Sequence, residues 1–184
     1  MPRFCKSFAA FAVLLASAIP IAACDIDVRK DESNGKADVD ITTPVGNVNV
    51  RTNIETPDTG LAVYPGAQPL RDEDEPESAD VSVGNSTFGV KVLAAKFESR
   101  DGQDRIIDFY RNELKAYGDI TECRGDIDFR GRGDARHPVC REKPFERDLQ
   151  LMAGPEDRQH IVSVKPRGDG TEFALVYIQM RGKS

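Results

Sequence analysis

The chain has 184 residues and a formal net charge of −6, with 30% charged and 39% hydrophobic residues and no tryptophan. That length suits one ordinary domain plus a short extension, and the acidic balance argues against nucleic acid as a partner, because its phosphates would be repelled. Apart from an apolar run near the N-terminus, no stretch approaches the ~20 consecutive apolar residues of a spanning helix.

That run has the parts of an export signal: Arg3 and Lys6 at the start, apolar residues from Phe8 to about Ile21, then small residues. Its end, Ile21-Ala22-Ala23-Cys24, resembles the lipobox of bacterial lipoproteins. The resemblance implies that residues 1–23 are removed, that the Cys24 thiol is joined to diacylglycerol, and that the new amino terminus receives a fatty chain such as palmitate. It therefore implies a lipid-anchored protein of the bacterial cell envelope, facing the periplasm or exterior, whose membrane contact is the lipid on Cys24. One acyl chain binds weakly and two or more anchor stably. Loss of Arg3 and Lys6 takes the charge from −6 to about −8. Asp25 is an inner-membrane retention signal in enteric bacteria, a rule that does not carry over to others, so inner and outer membrane both stay open.

Under this reading Cys5 leaves with the signal and Cys24 takes the lipid. Cys123 and Cys140 remain as an even pair in an oxidising compartment, and a disulfide between them is expected. A metal or redox pair is the alternative, and the wide spacing without a second pair disfavours it.

Residues 24–60 are polar and free of aromatics, and read as a tether. Within it, Val39 and Ile41, then Val48 and Val50, alternate with polar residues around a Pro/Gly turn, which predicts a short hairpin. The main domain is expected over 61–184. Leu61, Val63 and Tyr64 suggest a short strand ended by Pro65 and Gly66. The run Asp72, Glu73, Asp74, Glu75 and Glu77 reads as a self-repelling solvated loop, since it lacks the glycine-bearing EF-hand spacing of a calcium site.

Val81 and Val83, a Gly84-Asn85 turn, and Phe88 to Phe97 predict a hairpin. In its second strand the apolar phase changes, from Phe88, Val90 and Val92 to Leu93, Ala95 and Phe97. Two buried faces or a register-shifting bulge would each account for this. Ile106, Ile107, Phe109, Tyr110, Leu114 and Tyr117 then share one helical face, with Asp101 as the expected N-cap and Gly118 as the stop. Strands follow at Ile120 to Cys123, about Leu149 to Ala153, about Gln159 to Lys165, and Thr171 to Arg181. The last is apolar on both faces, so it is expected to be central and covered twice, once by the helix and once by the N-terminal hairpin, loops or another molecule. The expected architecture is α+β: an antiparallel sheet of about five or six strands with one long amphipathic helix packed on a face.

Chemistry is sparse. His137 and His160 lack a second histidine at metal spacing, and no serine-nucleophile or phosphate-loop motif occurs, so no catalytic residue, metal or cofactor is assigned. Arg124, Arg130, Arg132 and Arg136, with His137, form a binding-patch candidate for anionic groups, although Asp126, Asp128 and Asp134 dilute it into internal ion pairs. Arg-Gly-Asp occurs at Arg124, Arg132 and Arg167, where turn chemistry is a plainer account than adhesion.

Val63-Tyr64-Pro65-Gly66-Ala67, Phe109-Tyr110 with Leu114 and Gly118, His160-Ile161-Val162 and Phe173-Ala174-Leu175-Val176-Tyr177 resemble an uncharacterised family of bacterial secreted proteins over about Leu61 to Arg181. The resemblance implies no activity. The expected function is a non-enzymatic binding or structural module of the envelope, acting on a protein partner or on itself through the second sheet face. The alternative is a periplasmic or cell-wall hydrolase. A cleft holding His160 with convergent carboxylates would favour the enzyme; a flat apolar patch would favour association.

Overall fold

The computed structural model describes residues 25–31, 36–53, 58–71, 76–130, 137–143 and 147–182. Twelve strands are formed: β1 Asp25–Asp31, β2 Lys36–Thr43, β3 Gly46–Thr52, β4 Gln68–Pro69, β5 Ser78–Gly84, β6 Phe88–Ser99, β7 Thr121–Cys123, β8 Gly125–Arg130, β9 His137–Glu142, β10 Leu149–Ala153, β11 Arg158–Arg167 and β12 Gly170–Gly182. Ten of them make one antiparallel sheet in the order β1-β2-β3-β5-β6-β12-β11-β10-β7, with β4 pairing beside β6. β8 and β9 form a separate two-stranded ribbon.

The α+β expectation is corrected by this architecture. The protein is mostly β, and its helix α1, Gln103–Leu114, is short, continued by a single 3-10 turn at Lys115–Tyr117. The physical reason lies largely at the N-terminus. A polar stretch that reads as a tether instead alternates with period 2 across β1, β2 and β3 and widens the sheet. The expected β2–β3 hairpin is present, pairing Val39 with Val50 and Ile41 with Val48. No strand forms over Leu61 to Tyr64; Pro65 and Gly66 make a turn closed by Ala67 N–H donating to the Tyr64 carbonyl at 3.0 Å.

Helix α1 links the middle of the sheet to its far edge. The chain leaves β6, crosses in α1, enters β7 at the edge, and returns strand by strand through β10 and β11 to β12 beside β6. The helix therefore lies over the intervening strands. Ile106, Ile107, Tyr110 and Leu114 turn inward onto Phe97, Phe173, Leu175, Val162, Val164, Leu149 and Leu151, forming the main core. Phe173 stacks on Phe97 and packs tilted against Tyr110, both with ring centroids 5.5 Å apart. The helix N-cap is Gly102, one residue later than expected. Asp101 instead accepts a hydrogen bond from the Tyr64 hydroxyl at 2.7 Å and pairs with Arg105 at 3.1 Å. Beyond the 3-10 turn, Gly118 ends the element at φ +126°, a conformation that side chains with a Cβ rarely adopt.

The phase change in β6 involves no bulge. Its register with β12 is continuous from Phe88–Gly182 to Ser99–Thr171. Residues alternate sides along a strand, so Leu93, Ala95 and Phe97 face the helix while Val90 and Val92 face away. The apolar side of the sheet switches at this point.

Candidate functional site

The side away from the helix carries the most distinctive surface. Cross-strand partners share a side of a sheet, and the registers align two unbroken rows. One runs Ile26, Ile41, Val48, Val83, Val90, Met180; the other runs Val28, Val39, Val50, Val81, Val92, Ile178. A third row continues from Ala79 through Ala94, Val176 and Ile161 to Met152. Between them these rows hold no charged side chain.

Among the described residues, neither the helix nor the β8–β9 ribbon lies over the β1, β2, β3 and β5 part of this surface. Ile26 is 61% exposed, Val28 52% and the flanking Phe88 50%. The remaining residues of the first two rows are half-buried, apart from exposed Val83. Among the described residues, β1, β2 and β3 contribute none to the buried core. At the β10–β7 end the situation differs. Cys123 and Gln150 are register partners on this side, and both reach the ribbon, Cys123 through its bridge to Cys140 and Gln150 by donating to the Gly125 carbonyl at 3.1 Å. There Met152 is buried.

On the helix side the same N-terminal strands are polar. Arg51 pairs with Asp38 at 3.1 Å and Lys91 with Asp80 at 3.6 Å, while the Asn49 amide donates to Asp40. These bonds fix which side of the N-terminal strands is wet. A sheet wet on one side is expected to bury the other.

The expected disulfide is formed: Cys123 and Cys140 are bonded, with Cα atoms 5.3 Å apart. It ties the β8–β9 ribbon to the sheet. Of the binding-patch candidates, Arg124 is exposed and donates to the Arg147 carbonyl at 3.4 Å. Arg130 and His137 are paired in the ribbon backbone, while Arg132 and Arg136 lie outside the described residues. Arg141 pairs with Asp128 at 2.5 Å and Lys143 with Asp126 at 2.8 Å, so two basic side chains of this segment are matched by the ribbon's own aspartates. Cys24 and acidic residues 72–75 also lie outside the described residues; Glu77 pairs with Arg71 at 3.1 Å.

His160 sits on the helix side of β11, only 6% exposed. Its Nδ1 lies 2.9 Å from the Thr59 carbonyl, which can only accept, so the proton is on Nδ1. The ring stacks on Tyr117 at 3.7 Å and approaches Tyr177 at 5.0 Å, and the Tyr117 hydroxyl donates to the Gly60 carbonyl. Burial lowers the imidazole pKa, and the Thr59 bond opposes this. Asp58 and Arg158 line the adjoining cleft. Asp58 accepts from Gly60 N–H at 3.1 Å, and Arg158 pairs with Asp157 at 3.7 Å. These groups do not converge on a reacting position; His160 and Tyr117 hold the 58–60 segment through the Thr59 and Gly60 carbonyls. Among the described residues, no group of three or more His, Cys, Asp or Glu side chains is placed to hold a metal ion.

Searches against protein families, characterised proteins and solved structures found no match to this chain. Sequence reading placed the valines of β2, β3, β5 and β6 in strands. It missed that they align into one surface, because β3 and β5 pair across the long connection over residues 53–77 rather than through a hairpin.

Proposed function

We propose that this chain is a lipid-anchored, extracytoplasmic module of the bacterial cell envelope that works by non-enzymatic association, using the side of the sheet away from the helix. The observation that carries the reading is the alignment of Ile26, Val28, Val39, Ile41, Val48, Val50, Val81, Val83, Val90 and Val92 on one uncovered side. Contiguous apolar surface of several hundred Å² on a soluble domain marks an interaction site.

The anchor reading rests on Ile21-Ala22-Ala23-Cys24. Strand β1 opens at Asp25, immediately after the cysteine, so removal of residues 1–23 takes away no described part of the fold. Anchoring at Cys24 then holds edge strand β1 next to the lipid without a spacer.

The association reading is tested with a Val50→Asp, Val81→Asp variant expressed as the full chain. The expected result is a folded, disulfide-bonded protein that loses its high-mass complexes on native gels of solubilised envelopes. Complexes unchanged by the two carboxylates would overturn it. The anchor is tested separately by mass spectrometry of the N-terminal peptide, which should begin at Cys24 and carry the diacylglyceryl mass.

A further inference from the structure

We infer that the occupant of the open sheet side is a second copy of this chain, packed face to face about a two-fold axis into a β-sandwich. The inference rests on the association reading above and names its partner.

Size is the first argument. Two rows span β1, β2, β3, β5, β6 and β12, and the third adds depth over β5, β6, β12 and β11. At ~4.8 Å between strands and ~3.4 Å per residue, with each row two residues deep, that is roughly 500 Å² per copy. Two such faces bury about 1,000 Å², the size that an interface between proteins should clear.

Shape and chemistry are the second. The surface is aliphatic and has no charge within its rows, so it offers nothing to steer a charged ligand. Its charges begin beyond the rows: Lys30 on β1, Lys96 and Glu98 on β6, and Lys165 and Arg167 paired with Glu172 at 2.8 Å and 3.2 Å where β11 meets β12. Branched aliphatic side chains at two-residue spacing interdigitate with an identical set when two sheets stack ~10 Å apart at about −30°. A two-fold arrangement asks one patch to be complementary to itself, which an uncharged, repetitive surface satisfies.

A bilayer fits less well. Interfacial surfaces combine Trp or other aromatics with flanking cations, whereas this chain has no tryptophan and is acidic overall. The β1–β3 region gives the third argument. Among the described residues it holds no buried one, and stacking on another copy supplies a covering layer. If Cys24 tethers both copies to one membrane, confinement raises their effective concentration.

The test is photo-crosslinking in intact cells, using the full chain with a photoreactive residue replacing Val81 on the open side or, as a control, Ser82 on the polar side. The inference expects an adduct of twice the monomer mass from position 81, identified by peptide mass spectrometry as this chain joined to itself, and none from position 82. Adducts from position 81 to a different protein or to lipid would overturn the second-copy inference; the protein adduct would leave the association reading standing. No adduct from either position would overturn both. A self-adduct of equal yield from position 82 would overturn the face assignment.

Discussion

Val92 and Leu93 are neighbours on β6 that point to opposite sides of the sheet, and between them the apolar surface changes sides. Leu93 faces the helix side and is buried; Val92 joins Val81 and Ile178 in a row on the open side. One half of the sheet therefore buries its apolar side within the chain, and the other half presents it outward. A local sequence feature of two residues sets which side of each half of the sheet is apolar.

This division gives different consequences for substitutions of similar chemistry. Phe173→Ala removes a ring packed against Phe97, Tyr110 and Tyr64 and is expected to cost about 3–5 kcal/mol. Val81→Asp, on the open side, is expected to cost the isolated chain less than about 1 kcal/mol while disrupting association. Urea unfolding under dissociating conditions checks both, and an equal loss from the two would contradict the division.

The sequence made the strands legible and left their assembly hidden. Period-2 alternation located β5, β6, β10, β11 and β12 because each has branched or aromatic residues at every second position. Alternation within one strand does not say which side a helix will cover, so the face switch at Val92 and Leu93 read equally well as a bulge. Within residues 25–53 the β2–β3 hairpin was legible, but β1 and the joining of all three strands to the main sheet were obscured by Asp, Asn and Thr content, which is the wet side of the same strands. The Cys123–Cys140 bridge was legible once the lipobox resemblance set Cys5 and Cys24 aside from the four cysteines.

The bridge closes a sequence separation of 17 residues. Its loss is expected to destabilise the protein by roughly 3 kcal/mol on the chain-entropy account. A Cys123→Ser, Cys140→Ser variant compared with the parent by chemical unfolding measures it. Thiol labelling of the unreduced native protein should find neither cysteine free.

His160 should titrate below its ordinary value of 6.5, because burial penalises the charged ring. A depressed imidazole pKa means that the unfolded chain binds the extra proton more readily. The contribution to stability is therefore complete above pH ~6.5 and is lost as pH falls through the folded-state value. Following the ring protons by NMR gives the midpoint directly; one at or above 6.5 would show that the ring is not held as described.

Gly60 has φ +77°, and a Cβ there would come within 2.8 Å of His160 Cε1 and 3.2 Å of the Tyr117 hydroxyl. Gly60→Ala is expected to cost on the order of 1–3 kcal/mol from backbone strain, plus displacement of the stacked rings. Thermal melting would show this, with a His160 midpoint moved toward 6.5.

The central claim is that the open sheet side is covered in the working protein, and Met180, half-buried at its margin, reports on this side chemically. Hydroxyl-radical footprinting should find Met180 protected in intact envelopes and readily oxidised in the dissociated chain, with buried Met152 protected in both. Equal oxidation of Met180 in envelopes and in the dissociated chain would contradict the claim.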